Sequence, residues 1–167
     1  MMDFKRILRH LLIAERHAKR IFTARHLEQI AQTIKASERF HSGEIRFAVE
    51  SSLEFQPLLR SQTARQRAIE VFSRLRVWDT EHNNGVLIYI LLADHAIEIV
   101  ADRGIHSKVG TACWESLCRD IQASFSNQQF GEGSTVCVQA ISKLLIEHFP
   151  DDGGGQNELP DTPIIIG

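Results

Sequence analysis

The stretch from Val86 to Ala101 constrains this chain most. Val86-Leu87-Ile88-Tyr89-Ile90-Leu91-Leu92-Ala93 is short, apolar throughout, and rich in β-branched and aromatic side chains. A run of that kind is a strand buried on both faces. After the step Asp94-His95, the segment Ala96-Ile97-Glu98-Ile99-Val100-Ala101 alternates, as a strand nearer a sheet edge does. So short a connection makes the pair an antiparallel hairpin. The start of the first strand then lies beside the end of the second, which gathers Asp79, Glu81, Asn83 and Asn84 near Asp102 and Arg103.

A third strand is expected at Glu44-Ile45-Arg46-Phe47-Ala48-Val49-Glu50, which alternates cleanly. Pro57 and Ser51-Ser52 mark a loop after it. Ser61 or Thr63 opens a helix carrying Ala68, Ile69, Phe72 and Leu75 inward. A strand–helix–strand unit of this kind joins parallel neighbours, so Glu44 joins the carboxylates at Asp79, Glu81 and Asp102. Thr23 is the expected N-cap of an earlier helix with Leu27, Ile30, Ala31 and Ile34 inward. Two later helices follow Val109-Gly110. One carries Trp114, Leu117, Ile121 and Phe125; the other carries Val136, Val138, Ile141, Leu144, Leu145 and Ile146 and stops before Pro150.

Residues 3–21 place Phe4, Ile7, Leu8, Leu11, Ala14, Ala18 and Ile21 on one helical face, with Lys5, Arg6, Arg9, Arg16, Lys19 and Arg20 elsewhere. The expectation is a solvated basic face over a packed apolar stripe. Peripheral contact with an anionic membrane through residues 3–21 is the less favoured alternative. The chain therefore divides into a basic amphipathic helix (1–22), a main domain (23–149) and a flexible acidic, Gly-rich tail (150–167). In that tail Gly153-Gly154-Gly155 is a linker, and Leu159-Pro160 and Ile164-Ile165-Ile166 can dock as an extended segment on an edge strand.

The net charge of −2 favours no polyanionic partner, and no basic aromatic face points to nucleic acid. Residues 1–40 carry nine Lys/Arg against four Asp/Glu, the remainder ten against seventeen, so the N-terminal end is a basic docking element. Cys113, Cys118 and Cys137 lack metal or redox spacing and fit a reducing, cytoplasmic setting. The longest apolar run is far shorter than the roughly 20 residues that span a bilayer, and Glu15, Arg16 and His17 interrupt what would otherwise resemble a signal peptide.

The candidate metal site comprises Asp79, Glu81, Asn84, Asp102 and Glu44, with Arg103 and His106 beside it. Carboxylate and amide oxygens suit a hard divalent cation, Ca²⁺ rather than Mg²⁺. Simpler readings stand next to this one. Asn83-Asn84-Gly85 is also a turn feeding a strand, Asp102 an Asx turn or helix cap, and Glu81 a solvated side chain. Arg103 either binds an anionic substrate or neutralises Asp102.

Three stretches resemble the TPM-domain family. They are Ser42-Gly43-Glu44-Ile45-Arg46 with Glu50; Thr80 followed by Asn84-Gly85-Val86-Leu87-Ile88-Tyr89; and Asp102-x-Gly104-Ile105-His106 followed by Val109-Gly110 and Trp114. Together they span roughly residues 25–148, and the Asp102-x-Gly104-Ile105 form is similar to the bacterial branch rather than the thylakoid-lumen one. The resemblance implies an α/β fold of αβα type, with helices packed around a small mixed sheet. It also implies an acidic surface crevice that takes Ca²⁺ or a similar ion, and weak phosphatase activity of the kind ascribed to lumenal relatives. Phe22-Thr23 stands where many members carry an aspartate. The function expected is that of a binding module with a divalent cation and a protein partner, the alternative being a weak metal-dependent phosphatase.

Overall fold

Strands β1 (Glu44–Glu50) and β2 (Gly85–Leu91) are buried at every position and pair in parallel, Glu44 opposite Gly85 and Glu50 opposite Leu91. The computed structural model of the chain describes residues 3–13, 16–151 and 156–167. β3 (Ala96–Ala101) returns antiparallel to β2, with Val86 opposite Ala101. A fourth strand, β4 (Ile164–Ile166), pairs in parallel with β1, so the sheet order is β3-β2-β1-β4. The hairpin turns through a short 3₁₀ segment at Leu92–Asp94, followed by His95 at φ 50°. The expected α/β architecture, its three strands and the docking of Ile164–Ile166 are all present.

Helices cover both faces. Ile45, Phe47 and Val49 on β1 and Val86, Ile88 and Ile90 on β2 join one core with α3 (Ala24–Ser37), α7 (Thr111–Ser126) and α8 (Phe130–His148). The alternate positions Ala48, Leu87, Tyr89 and Leu91 pack beneath α5 (Ala64–Arg74). This is what two-residue periodicity dictates for a sheet buried on both sides. Thr23 caps α3 by accepting the His26 N–H, and Thr63 caps α5 in a reciprocal capping box with Gln66. The sequence reading overlooked two short helices, α4 (Phe55–Leu59) and α6 (Arg103–Val109). Ile69, Val136 and Ile146, expected inward, are exposed instead. On α5 the inward places go to Arg67, Ala68, Val71 and Phe72.

The N-terminal segment forms two helices rather than one, α1 (Phe4–Leu12) and α2 (His17–Ile21), with Ile13 extended after the first. Ala14 of the expected stripe and the Gly153-Gly154-Gly155 linker lie outside the described residues. Of the α1 stripe, Ile7 packs against the core, while Phe4, Leu8 and Leu11 are exposed. The cationic side of the helix faces the protein, where Arg6, Arg9 and His10 converge on Asp94 at 2.7, 2.9 and 2.9 Å. Burial opposes ionisation of Asp94, but the hydrogen bonds from Arg6, His10 and Arg9 hold its carboxyl well below the usual carboxylate range. Charge-assisted bonds in a half-buried site outweigh what the leucines of one short helix gain by turning inward.

Candidate functional site

The start of β1, the start of β2 and the end of β3 share one rim of the sheet. Glu44 is registered with Gly85, and the Asp102 N–H donates to the Gly85 carbonyl at 2.8 Å. The backbone thus brings Glu44, Asn84 and Asp102 together. Their side chains diverge in partners. Asn84 is fully buried; its Nδ2 donates to Ser42 Oγ at 3.2 Å, and its Oδ1 has no hydrogen-bond partner. Asp102 caps α6, Oδ1 accepting the Arg103 N–H at 2.7 Å, while its buried Oδ2 is unpartnered. Glu44 accepts the backbone N–H groups of Glu158 and Leu159 at 2.9 and 3.1 Å.

Asp79 and Glu81 sit on the loop leading into β2. Asp79 is paired with Arg76 at 2.8 Å on the surface, and the exposed Glu81 donates its backbone N–H to the Glu158 carboxylate. Glu158 therefore links Glu81 to Glu44. Arg103 is exposed, and His106 belongs to a separate cleft along β3 and α7, beside Glu98 and Trp114. The Asn83-Asn84-Gly85 turn has its positive φ at Asn83, 52°. Gly85 is required for another reason: a Cβ there would stand 2.0 Å from the Val77 carbonyl oxygen.

Beside Glu44 the rim opens into a crevice of about 370 Å³, lined by Glu38, His41, Ser42, Glu44 and Asp151 together with Lys35. Sequence reasoning missed Glu38 and His41. The first is the C-cap of α3 and the second lies in the connection to β1, so neither carries a signal of its own; only the fold brings them to Glu44. Glu38 Oε1 accepts the Ile45 N–H at 3.2 Å, and its Oε2 is buried without a partner. His41 Nδ1 faces the Gly43 carbonyl at 3.0 Å, which puts the proton there and leaves the buried, unpartnered Nε2 with its lone pair free. Burial lowers the pKa of His41 and so favours this neutral form. Among the described residues, no three His, Cys, Asp or Glu side chains stand in an arrangement that holds an ion.

Burial, reinforced by the neighbouring Glu44, pushes the Glu38 carboxyl up to about 9. Burial likewise raises Glu44 to about 7, against the two N–H groups that favour its anion. Arg46, Nη1 of which donates to the carbonyls of Pro160 and Thr162, is the nearby cation, and burial lowers its pKa. Both acids hold protons more tightly folded than unfolded. Their contribution to stability is therefore complete below about pH 4.5 and is lost as pH rises through about 7 and about 9. Glu38→Gln keeps an acceptor for Ile45 and removes the ionisation. Thermal melts between pH 5 and 9 are expected to show the variant gaining about 2 kcal/mol on the wild type at the alkaline end, after allowance for solvent screening.

A family model described as the TPM domain matches residues 17–144. The chain is similar to the BA42 protein of the psychrophilic bacterium Bizionia argentinensis, solved by NMR. The two are 30% identical over 86% of this chain and 94% of that one, with a TM-score of 0.74. It also shares its fold with the N-terminal domain of a P. gingivalis protein, 14% identical over 82% of this chain and 92% of that one, at a TM-score of 0.62. A search of curated protein sequences finds no match. No helix among the described residues is long and apolar enough to cross a membrane. The match runs over both inner strands, the hairpin and the rim they share, and the chain belongs to the TPM domain family.

Proposed function

We propose that this TPM domain is a binding module whose rim crevice takes a divalent cation and whose surface serves a protein partner in a reducing, cytoplasmic setting. One observation carries the cation: four buried lone-pair atoms without partners, Asn84 Oδ1, Asp102 Oδ2, Glu38 Oε2 and His41 Nε2, on the segments that enter and leave this end of the sheet. Buried acceptors are rarely left unsatisfied. Three of the four are oxygens, the donor type a hard ion takes. Ca²⁺ suits them better than Mg²⁺, because it accepts irregular sets of carboxylate and amide oxygens where Mg²⁺ demands a tight octahedron. Of the residues first singled out, Asn84, Asp102 and Glu44 are the proposed ligands; Glu44 lines the crevice, and Asn84 and Asp102 lie on the adjoining strand ends. Asp79 and Glu81 lie on the approach, and Arg103 and His106 lie outside. A bound ion would favour the charged forms of Glu38 and Glu44, which burial holds protonated. The three free thiols fit the reducing setting.

Calorimetric and NMR titration with Ca²⁺ tests this. Saturable binding with a dissociation constant of about 10⁻⁴–10⁻³ M is expected, with weaker Mg²⁺ binding. Asp102→Asn is expected to weaken it about tenfold. Unchanged Glu44, Asn84 and Asp102 signals at millimolar Ca²⁺ would reject the site. The alternative is a weak metal-dependent phosphatase, in which an ion held at Asp102 polarises a phosphate and the exposed Arg103, next in sequence, steadies its charge. Hydrolysis of an aryl phosphate in the same samples, abolished by Asp102→Asn, would transfer the assignment to the enzyme.

A further inference from the structure

Helix α1 is docked inside out. Arg6 and His10 turn inward to Asp94, and His10 Nδ1 also accepts the Leu53 N–H at 2.9 Å. The opposite side carries Phe4, Leu8, Leu11 and Leu12, which are 71, 57, 61 and 75% exposed. At 3.6 residues per turn these four form one continuous stripe. Exposed Lys5 and Arg9 border it on one side, and the half-buried Ile7 borders it on the other. Helix α4 packs against α1 and carries two further exposed apolar side chains, Phe55 and Leu59, followed by the exposed Arg60. The exposed carboxylates at the starts of the two helices are Asp3 and Glu54. Asp3 is engaged as an N-cap, accepting the N–H groups of Lys5 and Arg6.

A contiguous apolar face on a folded domain marks a contact surface, and its charge says with what. We propose that the α1–α4 face seats on an anionic lipid surface. Phe4, Leu8, Leu11, Leu12, Phe55 and Leu59 enter the boundary between headgroups and chains, and Lys5 and Arg60 lie against the headgroups, Arg9 being held by Asp94. Residues 1–22 carry six Lys/Arg against two Asp/Glu; Arg6 and Arg9 are bound to Asp94, and Lys5, Arg16, Lys19 and Arg20 are exposed. The Asp94 anchor keeps α1 helical away from the membrane, where a nine-residue helix alone would be marginal. The face is therefore preorganised.

The test is co-sedimentation of the full chain with vesicles of phosphatidylglycerol and phosphatidylcholine, against phosphatidylcholine alone. Wild-type protein is expected to partition into the anionic vesicles only, and to be released by about 0.5 M salt. Leu8→Glu with Leu11→Glu should lower partitioning by about tenfold or more, and Lys5→Glu by a smaller factor. Circular dichroism checks the fold; Leu12→Gln, at the most exposed position, repeats the measurement should the double variant lose structure. Absence of partitioning, partitioning indifferent to these substitutions, or a loss of self-association by light scattering in their place would overturn the proposal.

Discussion

Glu50→Ala is expected to cost about 3–5 kcal/mol of stability, the loss seen when one partner of a buried ion pair is removed. Glu50 ends β1 and is buried, and its carboxylate accepts Arg67 Nε at 2.9 Å and Nη2 at 2.8 Å. Tyr89, opposite Ala48 on β2, donates its hydroxyl to the same carboxylate. Hydrogen bonding to Glu50 raises the Arg67 pKa, and burial, with Glu50 close by, raises that of the Tyr89 phenol. Arg67 Nη1 also meets Glu70 at 3.0 Å, but Glu70 is half-exposed and meets a different nitrogen from those that Glu50 holds. Alanine therefore leaves the buried Tyr89 hydroxyl and the Nε and Nη2 of the buried Arg67 without the acceptor they share. Glu50→Leu with Arg67→Met and Tyr89→Phe should recover most of the loss, since an apolar set of similar volume needs no compensating charge. Guanidinium denaturation measures both; a cost below about 1 kcal/mol for Glu50→Ala would show that water reaches Arg67.

Gly85→Ala is expected to cost about 3 kcal/mol, near the upper end of what overpacking produces. The new methyl would fall 2.0 Å from the Val77 carbonyl oxygen and 2.9 Å from Val77 Cγ1. Val77 is fully buried, and its N–H is bonded to the Phe72 carbonyl, so the clash meets backbone that cannot step aside. Relief must come from β2 itself, at the residue next to Asn84. The same variant should therefore weaken Ca²⁺ binding along with lowering the melting temperature. Retention of wild-type stability would mean that the 77–84 loop yields more readily than its packing indicates.

The strands were legible in the sequence because period two and continuous apolarity leave little choice for Glu44–Glu50 and the 86–101 hairpin. The rim followed, since parallel pairing forces Glu44 next to Gly85. Thr63 and Thr23 announced their helices by their capping chemistry. What escaped was whatever depends on a partner distant in sequence. Arg67 lies on the apolar side of α5 because Glu50 waits beneath it, which no helical period encodes. Likewise α1 turns its leucines outward because Asp94, more than eighty residues away, takes its cations. Glu38 and His41 became part of the crevice only through the bend that joins α3 to β1. At the site, residue type located the right end of the sheet, but not that Asp79 would be claimed by Arg76 or that Glu44 would be satisfied by the segment after Asn157.

β1 is a seven-residue strand, and only Ala48, Val49 and Glu50 find ladder partners on β4. Over Glu44–Phe47 the outer edge is covered instead by residues 158–162, pinned through the Glu44 carboxylate and the Arg46 guanidinium. An uncovered strand of this composition would offer a row of free amides and carbonyls to any other extended chain. The strap thus serves as the molecule's guard against edge-to-edge aggregation. Because two ionic side chains fasten much of it, the solubility of the fold depends on Glu44 and Arg46 as directly as its crevice does.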